Sequence, residues 1–393
     1  MPAPTSPDVL VRRLVDRWPE ASGREADIRI VRSPGRVNLI GEHTDYNFGL
    51  VLPAAIELEI RLAFLPTDDG HVELLRLGKH QRGAFDIDVS RPARGTWIDY
   101  AEGTAWALAE AGHSTSGFRG IISSTLPSGG GLGSSAAIEL GMAWALLGEA
   151  GAEVDPMALA RICQRAETGY VGVQSGLMDQ FAAACGVSGS ALLLDCRSFD
   201  WRPVALPDDV ALVAIDSRVP RTLAGSAYNE RRAQCDAAVA ALRAVDPRIE
   251  SLRDVKVAFL DEHLDLLDEV IAHRARHVIE ENERVLEVIA AFERADLDAV
   301  GSVFAASHAS LRDLYEVSSP ELDALVDIAT AVDGVIAARL TGAGFGGCTV
   351  NLVRPDAVDR LRAAVERDYP RRTGRSATVM PVAIADGAGW LPR

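Results

Sequence analysis

The residues with the clearest chemical potential lie in Leu126–Gly141, LPSGGGLGSSAAIELG, where four glycines and three serines directly precede a helical run beginning about Ser135. Glycine lets backbone approach a ligand closely, and successive N–H groups make a concavity that suits an anion. A helix N-terminus adds partial positive charge, so phosphate is the natural occupant. The segment has no lysine and is not a GxxxxGK[ST] loop, so that loop's chemistry does not apply. A flexible turn ahead of a helix would read the same way.

Three further segments carry functional side chains. In PGRVNLIGEHTDYNFG (Pro34–Gly49), Arg36, Glu42, His43 and Asp45 fall within ten residues. Such a loop, dense in donors and acceptors after a buried strand, suits a ligand with many hydroxyls; a solvated charged turn fits equally well. In AETGYVGVQSGLMDQF (Ala166–Phe181), Glu167 ends one helix and Asp179 opens the next, with Gly169, Gly172 and Gly176 between. Two carboxylates brought together this way can split roles, one holding a hard cation and one acting on a hydroxyl. Two unrelated surface acids are the alternative. In LTGAGFGGCTVNLV (Leu340–Val353) the glycines precede a strand, the reverse of a dinucleotide fingerprint. A tight loop packed under the site is expected there, with Thr341 a candidate phosphate contact.

The elements that must position these residues are mixed. Ile28–Ile40 reads as two short strands around Ser33-Pro34-Gly35, and Leu58–Phe64 as a strand. Trp97–Ala109 and Ala136–Leu147 are apolar at helical spacing. Asp155 and Pro156 supply a cap and a first-turn proline for a helix through Thr168. Val210–Asp216 reads as a buried strand, Ala227–Val245 as a helix, and Val255–Ala309 as almost wholly helical. Strand, helix and strand follow at Cys348–Val353, Asp356–Asp368 and ATVMPVAI. Segregated helical runs among strands predict an α+β architecture, divided near residue 200.

The composition excludes several classes. Of 393 residues, 48% are hydrophobic and 24% charged, as in a globular protein rather than a disordered or fibrous one. With 56 acidic against 40 basic residues the formal charge is −16, which disfavours nucleic acid and anionic membrane as partners. The start MPAPTSPDVL lacks the pattern of a signal peptide, and no apolar run is long enough for a membrane span. Five scattered cysteines without CxxC spacing read as reduced, mostly buried thiols of a cytoplasmic protein. Oligomeric state is not legible; a monomer is the default expectation.

Together the four segments resemble the galactokinase family of the GHMP small-molecule kinases, with GRVNLIGEHTDYN the most specific stretch. SRVPRTLAGSAYNERRAQC (Ser217–Cys235), RARHVIEENERV (Arg274–Val285) and SHASLRDLYEVSSPELD (Ser307–Asp323) are also similar, so the likeness runs from about residue 28 to 353. It implies a two-lobed GHMP kinase fold, with an N-terminal domain over residues 1–200 and a C-terminal domain over 201–393. The active site would lie in the cleft between them. The implied reaction moves the γ-phosphoryl group of ATP, with Mg2+, to the C1 hydroxyl of D-galactose, giving galactose 1-phosphate and ADP at the start of the Leloir route.

By the same resemblance, Glu42, His43, Thr44, Asp45, Gly176 and Tyr228 match sugar-contacting positions. Gly129, Gly130, Gly131, Leu132, Gly133, Ser134 and Ser135 match the nucleotide-phosphate loop. Ser135 and Glu167 match the magnesium ligands, Asp179 the proton-accepting carboxylate and Arg36 the cation beside it. Trp97 and Trp106 are candidates for adenine contact. Two positions depart from the family: Gly133 stands where serine is common, and Ser175 where cysteine is frequent. A kinase for another sugar or amino sugar is the nearest alternative reading, and a sugar-and-ATP sensor without catalysis a more distant one.

Overall fold

A computed structural model describes residues 3–89, 91–127, 129–219 and 224–392. Part of the Ser217–Cys235 motif, residues 220–223, therefore lies outside the described residues. Helix α1 (Pro7–Arg17) is followed by strands β1 (Arg29–Asn38), β2 (Leu50–Val51), β3 (Pro53–Thr67), β4 (His71–Arg76) and β5 (Gln81–Asp86). Next come α2 (Ile98–Glu110), β6 (Gly117–Ser124), α3 (Ser134–Leu147) and α4 (Pro156–Arg165). A π-helical turn (Ala166–Val171) joins α4 towards α5 (Met178–Cys185), and strands β7 (Ser190–Asp195), β8 (Trp201–Ala205) and β9 (Ala211–Asp216) follow. The remainder is α6 (Ala224–Arg243), α7 (Val257–Glu262), α8 (Glu269–Glu293), α9 (Leu297–Asp313), α10 (Pro320–Thr330), β10 (Val335–Thr341), β11 (Cys348–Val353), α11 (Val358–Thr373), β12 (Thr378–Val382) and β13 (Gly389–Trp390).

The architecture is α+β, as the segregated patterns predict. A six-stranded sheet runs β13-β1-β3-β6-β4-β5, with β4 and β6 parallel and the other pairs antiparallel. A four-stranded antiparallel sheet runs β10-β11-β9-β12, and a three-stranded one β2-β7-β8. The expected division at residue 200 falls within the β7–β8 hairpin, where Leu192 faces Pro203. The four-stranded sheet begins at Ala211, and the chain's end returns to the first sheet, with Trp390 facing Val31.

Local sequence explains most element boundaries. Asp155, Asp268, Asp296 and Ser319 each accept a hydrogen bond from a first-turn backbone N–H, capping α4, α8, α9 and α10. Two such caps divide the helical stretch expected at Val255–Ala309. Helix α3 is apolar on nearly every face because it is enclosed by β1, β3, α2 and α5. All five cysteines are buried, and none forms a disulfide. Among the described residues, no helix is long and apolar enough to cross a membrane.

Ile28–Ile40 differs from the expected pair of short strands. Within it, β1 (Arg29–Asn38) is one continuous strand whose register against β3 shifts between Pro34 and Gly35. Pro34 pairs with Glu59 and Gly35 with Ile56, so Glu57 and Leu58 are taken up as a bulge. The Glu57 N–H instead meets the Ala383 carbonyl at 2.9 Å. Just past the bulge, the glycine-rich loop crosses β1, and the Arg36 N–H donates to the Leu132 carbonyl at 3.0 Å.

This crossing requires glycine at position 35, where a Cβ would lie 2.5 Å from the Leu132 carbonyl oxygen and strike Leu126. Gly35→Ala is expected to cost about 1–3 kcal/mol through overpacking. Gly141→Ala, within α3 and only 3.8 Å from the nearest side chains, should be neutral or gain up to about 1 kcal/mol. Calorimetric melting of both variants checks this; equal midpoints would contradict the crossing.

Candidate active site

A cavity of about 500 Å3 opens where β1, the loop after it, the glycine-rich loop, the π-turn, α5 and α6 converge. Arg36, Glu42, His43 and Asp45 line it, together with Gly129, Gly131, Gly133, Ser134, Ser135, Glu167, Ser175, Gly176, Asp179 and Tyr228. Gly342 and Ala343, from the loop after β10, close one side. Segments far apart in the chain therefore face one space.

Its centre is a forked ion pair. Arg36 Nε donates to Asp179 Oδ1 at 2.7 Å and Nη2 to Oδ2 at 2.6 Å. The third limb, Nη1, donates to the Gly131 carbonyl at 2.5 Å. The arginine side chain is 5% exposed and that of Asp179 24%, so the pair is shielded yet open to a ligand on the acid's side. Burial works against the Arg36 charge, but Asp179 outweighs it and holds the guanidinium above its ordinary range. Gly133, at φ 72°, leads into α3; a Cβ there would sit 3.1 Å from Arg36 Cγ. Glycine at this departure from the family pattern lets the loop lie against the arginine.

The loop after β1 brings acceptors to the other side of the fork. Glu42 is buried; its Oε1 accepts from the Gly342 N–H at 2.5 Å and its Oε2 from Asn38 Nδ2. Burial pushes its carboxyl up to about 7, with Arg339 pulling the other way. Asp45 accepts from the Tyr46 N–H at 3.0 Å; burial, reinforced by Asp179, pushes it up to about 6. Gly176 lies directly over Asp45, where any Cβ would strike the carboxylate. His43 is held at φ 65°, its Nδ1 2.9 Å from the Tyr46 hydroxyl, and burial drives its pKa well down, leaving a neutral ring. The Tyr228 ring packs 5.5 Å from His43.

This loop is anchored from behind by side chains that sequence reading missed. Glu281, on α8, accepts from the Gly41 and Glu42 N–H groups at 3.1 and 3.3 Å. Burial opposes its charge, but His277, Arg339 and Arg284 outweigh it and hold its carboxyl at about 2. Because burial also pushes His277 down to about 4, the two arginines carry that stabilisation near neutral pH. Arg339, fully buried, donates to the Leu39 carbonyl at 2.7 Å. A buried arginine and glutamate from distant helix and strand were individually visible, but nothing local in the sequence marks them as partners.

On the third side, Glu167 sits on the π-turn, a geometry often found at functional positions. Its Oε2 accepts from Ser175 Oγ at 2.5 Å and Gln180 Nε2 at 2.9 Å, and its carboxyl also bonds the Ser135 hydroxyl. Burial raises its pKa. Glu139 is fully buried nearby and is likewise pushed well up by burial. Among the described residues no set of three or more acids, histidines or cysteines clusters as a metal cage. The adjoining oxygens of Ser135 and Glu167 instead fit a hard cation that takes most of its ligands from water and phosphate.

Several expected contacts are not brought to the cavity. Thr44 is buried and its hydroxyl faces the Gly41 and Leu50 carbonyls at 2.9 and 2.6 Å, which shapes the loop. Gly130 and Leu132 are buried behind the cavity-facing residues of their loop, Leu132 within the hydrophobic core. Thr341 spends its hydroxyl on the backbone of Asn38, at 2.9 and 3.0 Å, not on a ligand. Trp97 lines the cavity, with the Arg76 guanidinium 5.0 Å over its ring. Trp106 packs instead on Tyr170 and beneath Arg165. Arg76, Lys79 and Tyr100 also line the Trp97 end.

Comparison with known proteins agrees with this geometry. Residues 17–66 match a galactokinase galactose-binding signature, 99–187 the GHMP kinases N terminal domain and 288–371 the GHMP kinases C terminal domain. The chain is 46% identical over 368 residues to a galactokinase of Roseiflexus sp. (strain RS-1), and 43% identical over 364 to one of Chloroflexus aggregans. Each alignment covers 92% of both chains. A crystal structure of Lactococcus lactis galactokinase complexed with galactose superposes with a TM-score of 0.91 at 36% identity, covering 97% of this chain and all of that one. A Methanococcus jannaschii mevalonate kinase, at 18% identity and a TM-score of 0.62, covers 91% of this chain and 98% of its own and shares the fold.

The raised Asp45 carboxyl has a consequence for stability. A carboxyl near 6 when folded and near its ordinary value of roughly 4 when unfolded contributes stability in full below pH 4 and loses it as pH rises through 6. Asp45→Asn escapes that loss. The melting midpoint of the variant, relative to the native chain, should rise by a few degrees between pH 4.5 and pH 8. A constant difference would contradict burial as the cause.

Proposed function

The chain belongs to the galactokinase family of the GHMP kinases, and from that premise we propose how its residues share the transfer of the ATP γ-phosphoryl group to the C1 hydroxyl of D-galactose. The chain phosphorylates galactose at the expense of ATP. The observation that carries the residue assignment is the Arg36–Asp179 fork, which faces the same cavity as the glycine-rich loop.

Asp179 receives the C1 hydroxyl. Each of its oxygens accepts one hydrogen bond from Arg36 and keeps a second lone pair for a substrate hydroxyl. Held there, the hydroxyl oxygen is aligned for attack, and its proton passes to Asp179 as its bond to the γ-phosphorus forms and the bond from that phosphorus to the departing ADP oxygen breaks. Arg36 stays fixed on Gly131 and Asp179, and its charge offsets that of the moving phosphoryl group. Gly129–Ser135 supplies backbone N–H groups and the α3 N-terminus to the nucleotide phosphates.

Ser135 and Glu167 would hold Mg2+, which when bound would neutralise charge on the phosphate oxygens. Glu42, His43, Asp45 and Tyr228 take the sugar hydroxyls, and Gly176 leaves Asp45 the room to do so. Glu42 and Asp45 accept, while the neutral His43 ring can donate or accept. Trp97, which lines the cavity, is the candidate for adenine contact in this reading. Five buried cysteines, none of them in a disulfide, support a reducing, cytoplasmic setting.

Asp179→Asn, which keeps a hydrogen-bonding oxygen for Arg36, is expected to bind galactose and ADP in calorimetry while turnover falls by roughly 10²–10⁴-fold. Near-native turnover would remove Asp179 from the proton's path. Asp45→Ala should raise the galactose KM far more than the ATP KM. If the two rise together, Asp45 does not belong to the sugar side.

A further inference from the structure

Behind Glu167 lies a buried pair that the chemistry above does not use. Gln180, beside Asp179 on α5, is fully buried, and its Nε2 donates to Glu167 Oε2 and to Glu139 Oε2, both at 2.9 Å. Both amide hydrogens are therefore committed to carboxylates. Turned over, the amide would give up both of these N–H bonds, so Glu139 helps hold the face that Gln180 presents to Glu167. Glu139 projects from the interior of α3, an otherwise apolar helix, and is itself fully buried. Among the described residues, Glu139 Oε1 and Gln180 Oε1 have no hydrogen-bond partner. Unpaired buried atoms are costly to a fold, and where they persist they call for a role.

Ser175 and Gln180 converge on the same oxygen of Glu167, which fixes the rotation of the carboxylate about its Cγ–Cδ bond. We propose that Gln180, held in orientation by Glu139, is a positioning residue for the cation site, setting the Glu167 carboxylate beside the Ser135 hydroxyl. This rests on the reading of Glu167 as a metal ligand. Partners one layer behind a ligand commonly tune metal affinity by 10–100-fold. Ser175 contributes to the same clamp and explains why a hydroxyl serves at that position.

The test is Mn2+ binding to the full chain with ADP, followed by electron paramagnetic resonance. Gln180→Ala should weaken Mn2+ about ten-fold and raise the Mg2+ needed for half-maximal rate similarly, while galactose affinity by calorimetry stays within about two-fold. Glu139→Gln, whose amide oxygen still accepts from Gln180, should bind Mn2+ like the native chain. Glu139→Leu should reproduce the Gln180→Ala defect. Native Mn2+ affinity in Gln180→Ala, or galactose weakened as much as Mn2+, overturns the proposal. Glu167→Gln separates the two readings. If it binds Mn2+ normally, the metal assignment itself falls; if it is impaired and Gln180→Ala is not, only the positioning role falls.

Discussion

The site depends on keeping a guanidinium and a carboxylate forked together away from bulk water. A buried ion pair stands only when its geometry is good and the remaining donors are used. Here all three limbs of Arg36 are engaged, two by Asp179 and one by the Gly131 carbonyl. One side chain thus ties β1 to α5 and to the glycine-rich loop. The bulge at Pro34 and Gly35, the left-handed Gly133 and the bare Cα of Gly176 are the backbone conditions that let these segments approach. The fork is a product of the tertiary fold, since its partners are 143 residues apart.

Electrostatics explains the rest of the cavity. Glu42, Asp45, Glu167 and Asp179 line it against Arg36, with Arg76 and Lys79 at the far end, in a chain of formal charge −16. Burial raises Glu42, Asp45 and Glu167, and the neighbouring Asp179 charge adds to the rise of Asp45 and Glu167. Hydroxyl groups and a divalent cation are ligands that relieve such a wall, and in the proposed reading backbone N–H groups receive the polyanionic tail of the nucleotide instead. The loop after β1 withstands this repulsion because Glu281 and Arg339 hold its backbone from behind, with Arg284 paired to Glu281.

What the sequence reveals and what it hides divide along physical lines. The glycine run before α3, the Asp155 cap and the acidic, histidine-bearing loop after β1 are local features, and local features can be read directly. The likeness to a kinase family links them into one site, which residue types alone leave open. Burial is not local. Thr44 and Thr341 carry hydroxyls that look available but are consumed by neighbouring backbone, and Trp106 faces Tyr170 rather than the cavity. Glu139 could have been noticed as an acid inside an apolar helix; Gln180 carries no such signal, since only its two partners give it meaning. The continuity of β1 is hidden because an X-Pro-Gly stretch reads more simply as a break than as a strand that shifts register against its neighbour.

The most direct test is a crystal structure of the chain with galactose and a non-hydrolysable ATP analogue. The account predicts the C1 oxygen of the sugar within about 2.6–3.2 Å of an Asp179 oxygen, with Arg36 still forked onto that carboxylate and the γ-phosphate analogue over the glycine-rich loop. A C1 oxygen facing another side chain, or a fork opened by the ligands, would contradict it.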